Sequence, residues 1–154
     1  MTNEPTRSDD SCVTSASREI SAPAAAIFEL IADPAQQPRW DGNDNLAEAQ
    51  APNRINAVGD SFAMKLTNDA VRVNLIVEFT EGRQIAWLPS EEGKTPPGHL
   101  WRWELEPLDE GRTTVTHTYD WSNLTDETRF ERARANTSDT LMASLNRLAT
   151  LVES

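Results

Sequence analysis

The sequence predicts an α+β domain, a curved antiparallel sheet of about six to seven strands covered by one long C-terminal helix. Three observations predict it. Val71–Phe79 and His99–Trp121 alternate large apolar and polar residues with period two, the signature of half-buried strands. Each of these runs passes through an x-Glu-Gly turn, Thr80-Glu81-Gly82 in one and Asp109-Glu110-Gly111 in the other. Finally, Thr125 to about Val152 contains no Gly or Pro and repeats apolar residues at helical spacing.

In chain order, residues 1–11 are polar and aperiodic and are expected to be a disordered tail before a single domain over 12–154. Val13 to Ser21 is the first strand. Ser21-Ala22-Pro23 opens a helix, with Ser21 as cap and Pro23 in the first turn. Ala24, Ile27, Leu30 and Ile31 form its apolar stripe, and Asp33-Pro34 stops it. A second short helix or turn, Ala35 to Arg39, leads to Trp40-Asp41-Gly42, with Trp40 expected as a plug and Asp41 as a local turn acceptor. Leu46 to Gln50 is an edge strand. Ser61 to Thr67 is another, with Phe62, Met64 and Leu66 on one side, and Asn68-Asp69 turns the chain. Pro89 to Gly98 is expected to be an exposed loop. From Thr125, taken as cap, one helix of roughly 26 residues is predicted, near 40 Å at about 1.5 Å per residue.

The hairpins set the faces. A three-residue loop at Asp109-Glu110-Gly111, with Gly111 left-handed, pairs Leu108 with Arg112. Leu105 then faces Val115, Trp103 faces His117, Trp101 faces Tyr119 and His99 faces Trp121. A two-residue loop would set Trp103 against Thr118 and mix the faces. In the earlier hairpin the same reasoning sets Phe79 against Arg83, Val77 against Ile85 and Leu75 against Trp87. Arg72, Arg102, Glu104, Thr116 and Thr118 fall on the outer, solvated face.

Composition bounds the function. With 25 acidic and 14 basic residues the formal net charge is -11, which argues against nucleic acid or an anionic membrane as partner. Cys12 is the only cysteine, so no intrachain disulfide or thiolate metal site can form. No apolar run approaches the ~20 residues of a membrane span. The first residues carry no hydrophobic signal core, so a cytoplasmic location is the default expectation. No cofactor or metal is expected: His99 and His117 lack an inward carboxylate at ligand spacing, and no Gly-rich phosphate loop is present. The composition leaves monomer and homodimer both open.

The order of elements resembles the START-like (SRPBCC, Bet v 1-like) helix-grip fold of the polyketide cyclase/dehydrase and lipid-transport family. The residues that carry the resemblance are I-S-A-P-A-A-A-I-F-E-L-I-A-D-P (Ile20 to Pro34), P-R-W-D (Pro38 to Asp41) and W-R-W-E-L-E-P-L-D-E-G-R-T-T-V-T-H-T-Y-D-W (Trp101 to Trp121). The resemblance implies a cavity between sheet and helix for a hydrophobic or aromatic small molecule, lipid or polyketide-like. It carries no catalytic motif over.

Residues expected on that cavity are Phe62, Met64, Leu75, Trp87, Trp101, Trp103, His117 and Tyr119 from the sheet, with Thr137 and Leu141 from the helix. The aromatic face can equally be filled core, although indole, phenol and imidazole groups there need polar partners. His117 and Tyr119, two apart on one strand, are the candidates for proton chemistry: a general base for enolisation and an oxyanion donor. Otherwise they are a satisfied core histidine and a packing residue. His99 is expected at the rim or in solvent, and Glu131 to Arg134 as a solvated helix face. Three functions follow: a small-molecule binding protein, a polyketide cyclase/dehydratase using His117 and Tyr119, or a protein-interaction module resembling the Hsp90-activator branch.

Overall fold

The computed structural model describes residues 12–50 and 53–153; the expected tail lies outside them. The elements are β1 (Val13–Ile20), α1 (Ala24–Ala32), a 3-10 turn (Pro34–Gln36) running into α2 (Gln37–Trp40), β2 (Leu46–Gln50), β3 (Ser61–Leu66), β4 (Val71–Thr80), β5 (Gln84–Glu91), β6 (Leu100–Asp109) and β7 (Arg112–Asp120). A second 3-10 turn (Glu127–Arg129), α3 (Phe130–Arg134) and α4 (Ser138–Val152) complete the chain.

The strands form one antiparallel sheet of seven in the order β1-β7-β6-β5-β4-β3-β2. After β1 the chain crosses to the far edge through α1 and α2, then meanders back until β7 lies beside β1. This is the helix-grip arrangement, with α4 packed along β1 and β7 and α1 packed on β6 and α4. Leu141, Ser144, Leu145, Leu148 and Ala149 form the buried stripe of α4, and Ile27, Phe28 and Ile31 that of α1. These stripes meet Ile20, Ile85, Leu105 and Val115 of the sheet in one core.

Four local expectations are corrected. The C-terminal helix is broken. α3 ends at Arg134, and a new N-terminus forms at Thr137, where Thr137 and Thr140 cap each other's backbone N–H groups. The Thr-Ser-Asp-Thr run offers side-chain acceptors that compete with a continuous helical ladder. Thr125 is likewise not a cap; Asp126 is, accepting from the Thr128 N–H. In α1 the cap position is Pro23, with no side-chain bond, and the Ser21 N–H instead donates to Glu153. Pro89 and Ser90 belong to β5, not to a loop. β5 pairs with β6 only as far as Trp87–Trp101, and beyond that point a proline costs no ladder bond on that side.

The two hairpins differ in how they absorb a mismatch. In β6–β7 the turn has two residues, Glu110-Gly111, with Asp109 opposite Arg112, and Gly111 is not among the glycines with positive φ. A bulge at Leu108 takes up the extra residue, so Leu105–Val115, Trp103–His117 and Trp101–Tyr119 still face one another. The ladder stops at Leu100–Asp120, so His99 has no strand partner.

In β4–β5 the loop is Glu81-Gly82-Arg83, which brings Phe79 opposite Ile85, and a bulge falls at Val77 in mid-strand. That bulge reverses the faces. Ile76 and Asn74 turn inward and are buried, Leu75 turns outward at 37% exposure opposite Leu88, and Arg72 follows Asn74 to the inner side.

Candidate functional site

The strict alternation of β6 and β7 places Trp101, Trp103, His117 and Tyr119 on one concave face. Their rings make a continuous ladder. The His117 imidazole stacks on Trp103 at 3.7 Å and 11° and lies 5.5 Å from Trp101, and Tyr119 packs on Trp101 at 4.3 Å. Across the cavity Trp40 meets Trp103 edge-on at 5.1 Å. Trp40 is fixed by its indole N–H, which donates to the Leu30 carbonyl at 2.8 Å.

The segment after Trp40 locks this wall to α4. The Asp41 carboxylate accepts from the Asn43 and Asn45 N–H groups at 3.1 and 3.0 Å, turning the chain as its position predicts. Burial raises its pKa, against the lowering effect of those bonds. The Gly42 N–H donates to Ser144 at 2.8 Å, and a Cβ on Gly42 would stand 2.6 Å from the Thr140 carbonyl oxygen. Only glycine allows that approach of loop to helix.

Between these walls lies a cavity of about 370 Å³. Its inner part is aromatic and buried: Trp103 is fully buried and His117 is 4% exposed. Met64, Trp87, Trp101 and Tyr119 continue the apolar wall. Its outer part is polar, with Arg72 from β4, Arg129 from the 3-10 turn, Arg132 from α3, Asn136 and His99.

The protonation states follow from burial. His117 Nδ1 lies 3.1 Å from the Arg102 carbonyl oxygen, which can only accept, so Nδ1 carries the proton and Nε2 is the free acceptor. Desolvation pushes the His117 pKa down to about 3, and the ring is neutral at physiological pH. Burial, with the charges of Arg129, Arg72 and Arg132, lowers His99 to about 4. Burial raises the Tyr119 hydroxyl to about 12, opposed by Asn136 beside it. Among the described residues, two buried side-chain atoms lack a hydrogen-bond partner, Trp103 Nε1 and His99 Nδ1, and both residues line this cavity.

Of the residues expected on the cavity, Met64, Trp87, Trp101, Trp103, His117 and Tyr119 line it. Phe62 sits behind the wall, edge-on to Trp87 at 5.3 Å. Leu75 faces outward because of the Val77 bulge, Leu141 is buried in the helix–sheet core, and Thr137 is spent as an exposed helix cap. His99 is not at a solvated rim but half-buried in the cavity wall. Arg72 and Arg132, read as solvated, both line the cavity, and Arg134 instead lies over the Trp121 and Phe130 rings. No parity argument could find Arg72 without the bulge. Arg132 and Asn136 became legible only once the helix break was seen. Among the described residues no group of three His, Cys, Asp or Glu could hold a metal ion.

A family model described as polyketide cyclase / dehydrase and lipid transport matches residues 11–153. The chain belongs to this family. The uncharacterized protein Rv0088 of Mycobacterium tuberculosis is 36% identical over 110 residues, which cover 70% of this chain and 46% of that protein. The chain thus spans about half the length of the curated relatives it matches. A START superfamily protein from Mycobacterium smegmatis superposes with a TM-score of 0.65 at 17% identity, covering 92% of this chain and 97% of that one. Protein MLL2253 from Mesorhizobium loti gives 0.67 at 15%, covering 90% and 95%. At these identities the two structures show that this chain shares their fold. They carry nothing about the ligand. No helix among the described residues is long and apolar enough to cross a membrane.

Proposed function

We propose that the protein binds a hydrophobic or aromatic small molecule, lipid or polyketide-like, in the cavity between its sheet and C-terminal helices. The observation that carries this reading is the pair of buried, unpartnered polar atoms, Trp103 Nε1 and His99 Nδ1, on residues that line one cavity. Leaving a buried polar atom unsatisfied costs about 1–3 kcal/mol, and a core designed only for stability would use Leu or Val there. A volume of about 370 Å³, lined by aromatic rings and by polar side chains such as Gln37, Asn74 and Ser144, suits a small ligand that carries polar groups of its own.

Binding is favoured over catalysis by the chemistry of the two candidate catalytic groups. His117 and Tyr119 both line the cavity, but a histidine with a pKa of about 3 is poorly matched to act as general base at neutral pH. A docking role for the outer face has less support, since its exposed large apolar residues, Leu75 among them, are scattered.

Tryptophan fluorescence during titration with fatty acids, flavonoids and aromatic polyketides tests the proposal. Saturable quenching by one class at micromolar level is expected. No response from any class would mean that the cavity does not take such molecules. With a ligand in hand, turnover by the native protein that His117→Ala abolishes would favour the enzyme reading instead.

A further inference from the structure

We propose that the ligand is an amphiphile with one terminal oxyanion, which Arg72 and Arg132 hold at the cavity mouth while its apolar body lies on the tryptophan ladder. This inference rests on the cavity being a binding site and adds the chemical class of what it binds.

The first support is a census of arginines. Arg18, Arg54, Arg102, Arg112, Arg129 and Arg147 all have carboxylate partners. Arg39 donates to Gln36, Arg83 to the Gly82 carbonyl, and Arg134 lies over two aromatic rings. Among the described residues only the Arg72 and Arg132 guanidinium groups have no hydrogen-bond, ion-pair or ring partner, and both residues line the same cavity. This occurs in a chain with 25 acidic residues against 14 basic ones, where a carboxylate could readily have been supplied. The guanidinium fork is built to meet carboxylate or phosphate oxygens with two parallel bonds.

The second support is how the site is built around them. Arg72 and Arg132 come from separate elements, β4 and α3, and line the same cavity as His99, whose Nδ1 is buried without a partner and whose pKa the charges of both help to lower. Arg129 is part of the same rim but is already neutralised by Glu91 at 2.7 Å and Asp126 at 3.3 Å, so it positions the mouth and adds little free charge. At the other end Trp103 Nε1 offers a buried donor to an acceptor on the ligand body, such as a carbonyl or hydroxyl. The cavity thus joins a buried aromatic ladder to a more exposed stretch that carries the two unpartnered arginines, which suits an amphiphile inserted body first.

Carboxylate and phosphate monoester share this chemistry, and the test separates them. Calorimetric titration of the full chain uses naphthyl and decyl bodies, each as carboxylic acid, primary amide and phosphate monoester. The expected result is that one or both anions bind at least about tenfold tighter than the amide of the same body. The larger preference names the headgroup. Arg72→Gln with Arg132→Gln should erase the preference by weakening the anions to the level of the amide of the same body, in a variant that still unfolds cooperatively. If amides bind as tightly as the anions, the oxyanion assignment is wrong and the cavity reading stands. If the preference survives the double substitution, these two arginines are the wrong residues. If no member of either series binds, both readings fall together.

Discussion

The inner and outer ends of the cavity are built on opposite principles. The inner end is a stack of rings, Trp103, His117 and Trp101, fixed by strand register and closed by Trp40, with its one imidazole bonded to backbone and held neutral. The outer end is a ring of long cationic side chains from separate elements, two of them without partners among the described residues. The inner end contributes to folding whether or not anything binds, because its residues bury large apolar areas. The outer end is made of exposed and half-buried side chains, from which a smaller contribution to stability is expected. On the proposed reading, one cavity divides fold stability and ligand choice between separate sets of residues.

The comparison can be broken most forcefully at the inner end. Trp103→Ala should cost about 3–5 kcal/mol in denaturant unfolding, because a fully buried indole with rings on two sides leaves a cavity that cannot collapse. Gly42→Ala should cost up to about 3 kcal/mol, since its Cβ meets backbone atoms of α4 at 2.6 and 2.8 Å that cannot swing aside. A thermal midpoint equal to that of the native protein would show the wall to be looser than described.

Acid should act through the inner histidine. The unfolded chain protonates this ring near pH 6.5, the folded one near 3, so between those values the unfolded state holds more protons. Stability is therefore unaffected by His117 above about pH 6.5 and falls as the pH drops below it. At pH 5 the loss is about 2 kcal/mol relative to pH 8. His99, with a folded value near 4, adds in the same direction. His117→Phe should flatten the slope of stability against pH in this window; an unchanged slope would contradict the assignment of a buried neutral ring. The smallest effect is expected at the mouth, where Arg72→Gln and Arg132→Gln should each shift stability by less than about 0.5 kcal/mol. A loss matching that of Trp103→Ala would erase the distinction between the two ends.

The inner end was legible in the sequence because period-two alternation survives a bulge placed next to a turn. Leu108 absorbs one residue outside the aromatic region, so the pairs from Leu105–Val115 to Trp101–Tyr119 stand as the pattern predicts. The mouth was not legible, for a matching reason. The Val77 bulge lies between the turn and the informative residues, so every position from Ile76 back to Arg72 changes face. Nothing in V-R-V-N-L-I-V marks which residue is extra, because the choice is set by how β4 packs against β5 and the core beneath. The helix break at Thr137 carried a sequence signal, the Thr-x-x-Thr spacing of mutual caps, which the surrounding apolar repeat masked. The fold family rested on the order of elements, which neither error disturbs.

The most direct test of the account follows the five indole N–H signals by heteronuclear NMR while a ligand found by titration is added. Trp40, Trp87, Trp101 and Trp103 line the cavity, and Trp121 does not, although at 3% exposure it is as buried as Trp40. The account predicts that the cavity signals shift together, Trp103 most strongly because its N–H gains a partner, while Trp121 stays in place. Shifts confined to Trp121, or no shift at saturating ligand, would contradict binding between the sheet and the C-terminal helices.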